Sequence, residues 1–165
     1  MRNNTNWGIL GTGRIARSFA EALSHVDDAR LVAVGSRNIN TATEFAHEFN
    51  VENACSSYQE VCENKDIDVV YIATPHSLHK ENVLMCLHAK KSVLCEKPFT
   101  INASEAETII QLARSKNLFL MEAMWTRYIP SIVKLRELLA ENVIGDIQIM
   151  LAGGAFMPEF DPDFY

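Results

Sequence analysis

Gly11, Gly13 and Ala16 stand at the spacing G-x-G-x-x-A, with Thr12, Arg14 and Ile15 between them. Glycine at the first position permits a tight turn. At the second it lets backbone approach an anion closely, and a small residue at the third lets a helix pack hard against a strand. Such a turn cradles a pyrophosphate, because the helix it opens presents unpaired N–H groups and the positive end of its dipole. No G-K-[ST] follows, so the turn is not a P-loop. A second candidate is Lys97, held between Glu96 and Pro98. An ammonium there can hydrogen-bond an oxygen that gains charge and can lower the pKa of a substrate hydroxyl. Glu96 is expected to orient that ammonium, and Pro98 to stiffen the turn.

These residues need a scaffold, and the hydrophobic period supplies one. Short apolar runs at residues 7–10, 31–34, 54–55, 68–73, 92–95 and 118–121 predict strands. Between them, apolar residues recur at helical spacing. Ile15, Ala16, Phe19, Ala20 and Leu23 form one such face, and helices are expected at 41–49, 77–89, 104–114 and 130–141. Ser57 with Glu60, and Ser104 with Glu107, read as capping boxes. A last alternating strand is expected at 146–152. Strands that alternate with helices predict an α/β fold with a doubly wound, Rossmann-type parallel sheet. Ligands of such sheets bind beyond the carboxyl ends of the strands. The glycine turn meets the two conditions that make it informative, a strand before it and a helix after it.

The same rule selects the other candidates. An acidic residue after the second strand would hold the ribose 2′-hydroxyl of NAD. This chain has Ser36 and Arg37 there, a hydroxyl and a guanidinium suited to a 2′-phosphate, so NADP is expected ahead of NAD. After the fourth strand come Thr74, Pro75 and His76, with His79 three residues on. This loop is read as part of the cofactor pocket. His76 and His79 lack a convincingly spaced third ligand, so no metal is expected.

The bulk properties narrow the class further. The chain has 165 residues, is 48% hydrophobic and carries a formal net charge of -6. That balance argues against nucleic acid or an anionic membrane as the main partner. No apolar run reaches the ~18 residues a membrane span needs, and the start lacks a signal-peptide core. The 4 cysteines form neither a C-x-x-C pair nor a zinc-ligand spacing, so reduced thiols in a cytoplasmic protein are expected.

Taken in order, Gly11-x-Gly13-x-x-Ala16, Thr74-Pro75-His76, Glu96-Lys97-Pro98 and Glu122-Ala123-x-Trp125-x-Arg127 resemble the Gfo/Idh/MocA oxidoreductases. The run from Met121 to Arg127 is most similar to the branch that holds the dimeric dihydrodiol dehydrogenases and the NADP-dependent D-xylose dehydrogenases. The resemblance implies a Rossmann domain over residues 1–122. It also implies that 123–165 begin an α/β substrate and dimerisation domain with an open antiparallel sheet. It implies hydride transfer between the nicotinamide of NADP and a sugar or cyclic diol, with Lys97 as the active-site lysine. Gly11, Thr12, Gly13, Arg14, Ile15, Ser36, Arg37, Thr74, Pro75, His76, His79 and Glu96 then fall at cofactor positions. Trp125 and Arg127 fall near the nicotinamide and substrate.

Members of that family are longer, and their second catalytic residue, a Tyr or His, lies on a later helix. The chain therefore reads as truncated. The family's homodimer is expected for a full-length protein. Self-association through the apolar segment after Ile144, or a disordered tail, is expected for this chain. A non-catalytic NAD(P)-binding module is the alternative function. An S-adenosylmethionine methyltransferase would also use a glycine turn, but it has no use for Lys97.

Overall fold

The computed structural model describes residues 4–153. In chain order the elements are β1 (Thr5–Leu10), α1 (Arg14–Leu23), β2 (Ala29–Gly35), α2 (Ile39–Phe49), β3 (Asn53–Cys55), α3 (Tyr58–Glu63) and β4 (Val69–Ile72). They continue with α4 (His79–His88), β5 (Ser92–Cys95), α5 (Ala103–Ser115), β6 (Leu120–Glu122) and α6 (Pro130–Ala140). Single 3-10 turns at His76–Leu78 and Trp125–Tyr128 precede α4 and α6.

The six strands form one sheet in the order β3-β2-β1-β4-β5-β6, with every neighbouring pair parallel. The winding reverses between β1 and β4, which is the switch point where such sheets bind ligands. Successive side chains in a strand point to opposite faces, and apolar residues serve both. Ile9 and Tyr71 join Ala16, Ala20 and Phe45 in one core cluster. Leu10, Val70 and Ile72 join Val61, Val83, Leu87 and Ile109 in the other. A sheet covered on both faces explains the near-continuous apolar runs.

The strands end together. Leu10 is in register with Gly35 and Ile72, Ile72 with Cys95, Cys95 with Glu122, and Gly35 with Cys55. Each following residue donates its N–H to the last carbonyl of a neighbour: Gly11 to Gly35, Ser36 to Cys55, Ala73 to Leu10, Glu96 to Ile72 and Ala123 to Cys95. The hydrogen-bond ladder therefore runs one residue beyond the strands, and the loops start from a common, rigid row.

Several expectations change in detail. Ser57 and Glu60 form their cap as expected: the Glu60 N–H donates to Ser57 Oγ, and the Glu60 carboxylate accepts from the Ser57 hydroxyl. The cap of α5 is not Ser104. Asn102 accepts the Glu105 N–H at 3.0 Å, and the Glu105 carboxylate accepts the Ile101 N–H. The short Asn carbonyl starts the helix two residues earlier than the serine would. The first turn of the expected helix at 77–89 is a separate 3-10 turn. No strand forms at 146–152 among the described residues; Ile147, Ile149 and Leu151 are 53%, 80% and 93% exposed. A strand is stable only when a neighbour satisfies its backbone groups, and alternation cannot supply that neighbour. Ala155 and Phe156, like the expected disordered tail, lie outside the described residues.

The chain divides into two compact units, Met1–Met124 and Trp125–Tyr165. The first is the sheet with its helices. The second, as far as it is described, holds the 3-10 turn and α6.

Candidate functional site

The row of strand ends in the first unit carries the glycine turn, Ser36 and Arg37, Thr74 and Pro75, and Glu96 and Lys97. Gly11 adopts a φ of +101°, and a Cβ there would lie 2.8 Å from the Ala73 carbonyl oxygen. Both the conformation and the close approach to the end of β4 require glycine. Gly13 is the N-cap of α1 and differs in kind. Its φ is -72°, and a Cβ would meet nothing within 4 Å. The space it leaves is open, not filled by protein. No side chain caps α1 and no acidic residue occupies its first turn, so its N–H groups face that space. These are the conditions a pyrophosphate needs, and the residues fit the group. Thr12 is half-buried, whereas Arg14 and Ile15 are exposed at the mouth of the turn.

Ser36 is buried after β2. Its Oγ lies 2.8 Å from Thr41 Oγ1 and accepts the Asn38 N–H at 3.2 Å. Its hydrogen bonds are internal, so Ser36 shapes the turn that presents the exposed Arg37. Arg37 forms no ion pair among the described residues.

The loop after β4 is tied down by α4. The Thr74 hydroxyl accepts from Asn82 Nδ2 at 2.9 Å. His79 is fully buried; its Nε2 lies 3.0 Å from the Thr74 carbonyl oxygen and its Nδ1 lies 2.8 Å from that of Pro98. Both ring nitrogens face backbone carbonyls, so this side chain joins the loops after β4 and β5. Pro75 and His76 are exposed.

Glu96 does not orient the Lys97 ammonium as expected. Its carboxylate points inward and is only 7% exposed. One oxygen accepts the Tyr71 hydroxyl at 2.6 Å, and the other accepts the Lys97 backbone N–H at 3.1 Å. Burial, reinforced by that carboxylate, raises the Tyr71 phenol well above its usual range. Lys97 is exposed at the sheet edge, and the Lys97–Pro98 peptide is cis. Glu122, at the end of β6, accepts the Phe99 N–H at 2.9 Å and closes the same loop.

Trp125 and Arg127 share the exposed 3-10 turn of the second unit. The sheet edge thus gathers all the expected site residues of the first unit. Sequence reasoning missed Tyr71, Asn82 and Glu122 as members of the site. A signal for the second existed: His79 and Asn82 lie on the same helical stripe as Val83, Cys86 and Leu87, where α4 is buried.

A sequence profile described as "Oxidoreductase family, NAD-binding Rossmann fold", the Gfo/Idh/MocA family, matches residues 5–124. The chain belongs to this family. The Gfo/Idh/MocA chain is also 44% identical over 152 residues to a trans-1,2-dihydrobenzene-1,2-diol dehydrogenase of Mus musculus, covering 91% of this chain and 46% of the relative. The corresponding Xenopus laevis protein is 43% identical over 150 residues, covering 90% of this chain and 46% of its own. Among solved structures, the 3-ketoreductase KijD10 of Actinomadura kijaniata, in complex with NADP and TDP-benzene, is similar with a TM-score of 0.81. It is 33% identical, covering 88% of this chain and 45% of that one. The chain spans less than half the length of these relatives. Among the described residues no helix is long and apolar enough to cross a membrane.

Proposed function

We propose that this chain is the cofactor-binding part of an NADP-dependent dehydrogenase that oxidises a hydroxyl of a cyclic diol or sugar, or reduces the matching carbonyl. The observation that carries the reading is the common row of strand ends. It sets an uncapped helix N-terminus and an exposed lysine on one edge of one rigid sheet. The N–H groups that open α1 receive the pyrophosphate, and Gly13 leaves room for it. Arg37 meets the 2′-phosphate with charge-assisted hydrogen bonds, and Ser36 fixes the turn from which it projects. Absence of a carboxylate after β2 removes the partner that NAD would use.

When bound, the nicotinamide supplies hydride exchange at the carbon that carries the substrate oxygen. Lys97 would donate a hydrogen bond to that oxygen and stabilise the negative charge it carries once its proton has left in oxidation, or gains as hydride arrives in reduction. The same cation lowers the pKa of the hydroxyl. Trp125 and Arg127 are assigned to the nicotinamide and substrate side on the family resemblance. The names of the mouse and frog relatives support a diol, and the NADP complex of KijD10 supports the cofactor. A homodimer is proposed for the full-length protein.

The test is a parallel titration with NADPH and NADH, followed by NADP reduction with trans-1,2-dihydrobenzene-1,2-diol and a panel of pentoses. Tighter NADPH binding and turnover that is lost in Lys97→Met are expected. A tighter NADH site overturns the cofactor assignment. NADPH binding without any turnover favours a nucleotide-binding module instead.

A further inference from the structure

Tyr71 stands at the centre of a chain of contacts that links α1, the helix after the glycine turn, to the Lys97 backbone. Its ring stacks on Phe19 of α1, with centroids 3.8 Å apart and planes 16° from parallel. It is in register with Leu94. Residue 96 therefore returns to the same face of the sheet, and the Tyr71 hydroxyl meets Glu96 there. A buried carboxylate is costly unless its lone pairs are satisfied. Glu96 has no ion-pair partner among the described residues. Its two donors are the Tyr71 phenol and the Lys97 N–H. An apolar side chain would fill this core position without the desolvation cost, so the carboxylate calls for a reason beyond packing. What it adds is a fixed hydrogen bond to the peptide from which the Lys97 side chain leaves. On the other side of that residue, His79 Nδ1 stands 2.8 Å from the Pro98 carbonyl oxygen.

We propose that Tyr71 is a positioning residue for Lys97: it holds the Glu96 carboxylate on the Lys97 N–H, so the backbone from which the lysine projects is fixed to the core, with the His79 ring packed against the Pro98 carbonyl that follows. The inference rests on the reading that Lys97 meets the reacting oxygen. An exposed, flexible side chain gains precision when its backbone cannot move, and misplacement by about 1 Å can cost a large factor in rate.

The first readout needs no substrate. Amide hydrogen exchange at Lys97, followed by NMR in the apo-protein, is expected to quicken about ten-fold or more in Tyr71→Phe, with α5 amides unchanged. Glu96→Gln provides the same readout if Tyr71→Phe does not fold. Unchanged exchange at Lys97 overturns the inference. The second readout is a kinetic cycle on NADP-linked turnover. Tyr71→Phe is expected to lower kcat about ten-fold while the Kd for NADPH moves less than about two-fold. In a Lys97→Met background the same change is expected to alter the residual rate less than about two-fold, because its effect passes through Lys97. An equal loss in both backgrounds, or a loss confined to NADPH affinity, refutes positioning while leaving the assignment of Lys97 intact. Full kcat in Lys97→Met removes that assignment and this inference together.

Discussion

The glycine at position 11 and the carbonyl of Ala73 are neighbours that leave no room for a side chain: a Cβ on Gly11 would lie 2.8 Å from that oxygen. Gly13, two residues on, faces open space. The two glycines are thereby separable. Gly11→Ala places a side chain at positive φ against backbone and is expected to destabilise the protein by about 1–3 kcal/mol. Gly13→Ala is expected to change stability by less than about 1 kcal/mol and to weaken NADPH binding about ten-fold, since its methyl enters the phosphate space. Urea unfolding and fluorescence titration of both variants check this. Equal effects on both quantities would contradict the division.

Arg37 is exposed, and the hydroxyl beside it is engaged within its own turn. The discrimination between the two nicotinamide cofactors should then rest on the guanidinium. Arg37→Ala is expected to weaken NADPH binding about 10- to 100-fold, the scale of a hydrogen bond to a charged group. NADH binding should move by less than about two-fold. Parallel calorimetric titrations decide it; equal losses for both would place Arg37 on the adenine instead.

Stability should fall on the alkaline side. Burial and the Glu96 carboxylate raise the Tyr71 phenol well above its ordinary 10.0. Burial, with the charges of Glu96 and Glu122, pushes the Cys95 thiol up from 9.0 to about 12. Both groups stay protonated in the folded chain after the unfolded chain has released its protons. Their contribution is complete below pH 9.0 and is lost as pH rises from there through about 12. Urea unfolding at several pH values between about 8 and 11 should show a declining midpoint. The decline should be shallower in Tyr71→Phe, which has no phenol to titrate.

The cap of α5 gives a test of local structure. Asn102→Ala removes the acceptor for the Glu105 N–H and is expected to cost about 1 kcal/mol. Ser104→Ala, inside the first turn, should cost less than about 0.5 kcal/mol. Chemical denaturation of the two variants distinguishes them, and the reverse order would restore Ser104 as the cap.

Ile147, Ile149 and Leu151 are exposed in the described chain. We expect this polypeptide, expressed alone, to self-associate through the segment after Ile144. Replacing all three with Ser or Thr should return a monomer in gel filtration, whereas an unchanged elution position would exclude this segment as the contact.

The alternation of apolar runs with helical stripes was enough to predict the order of the six sheet strands in the chain and the five helices that link them. These follow from periodicity, and periodicity is local. The glycine turn and the Lys97 turn were readable for the same reason: each is a short segment whose residue types carry their own constraint. The inward turn of Glu96 was not readable. Its partner Tyr71 lies 25 residues earlier, and adjacency to Lys97 in sequence suggests an ion pair that pleating directs away. His79 falls at a cofactor position by the family resemblance. Its burial between Thr74 and Pro98 depends on two loops meeting across the sheet edge. The strand at 146–152 failed in the opposite direction, since its pattern is sound but a strand requires a partner that pattern cannot create. Residue order therefore settles the six sheet strands, the helices between them and the edge at which a ligand is proposed to enter. Only the packed sheet decides which side chains face that ligand and which hold the others still, because those choices depend on register between segments far apart in the chain.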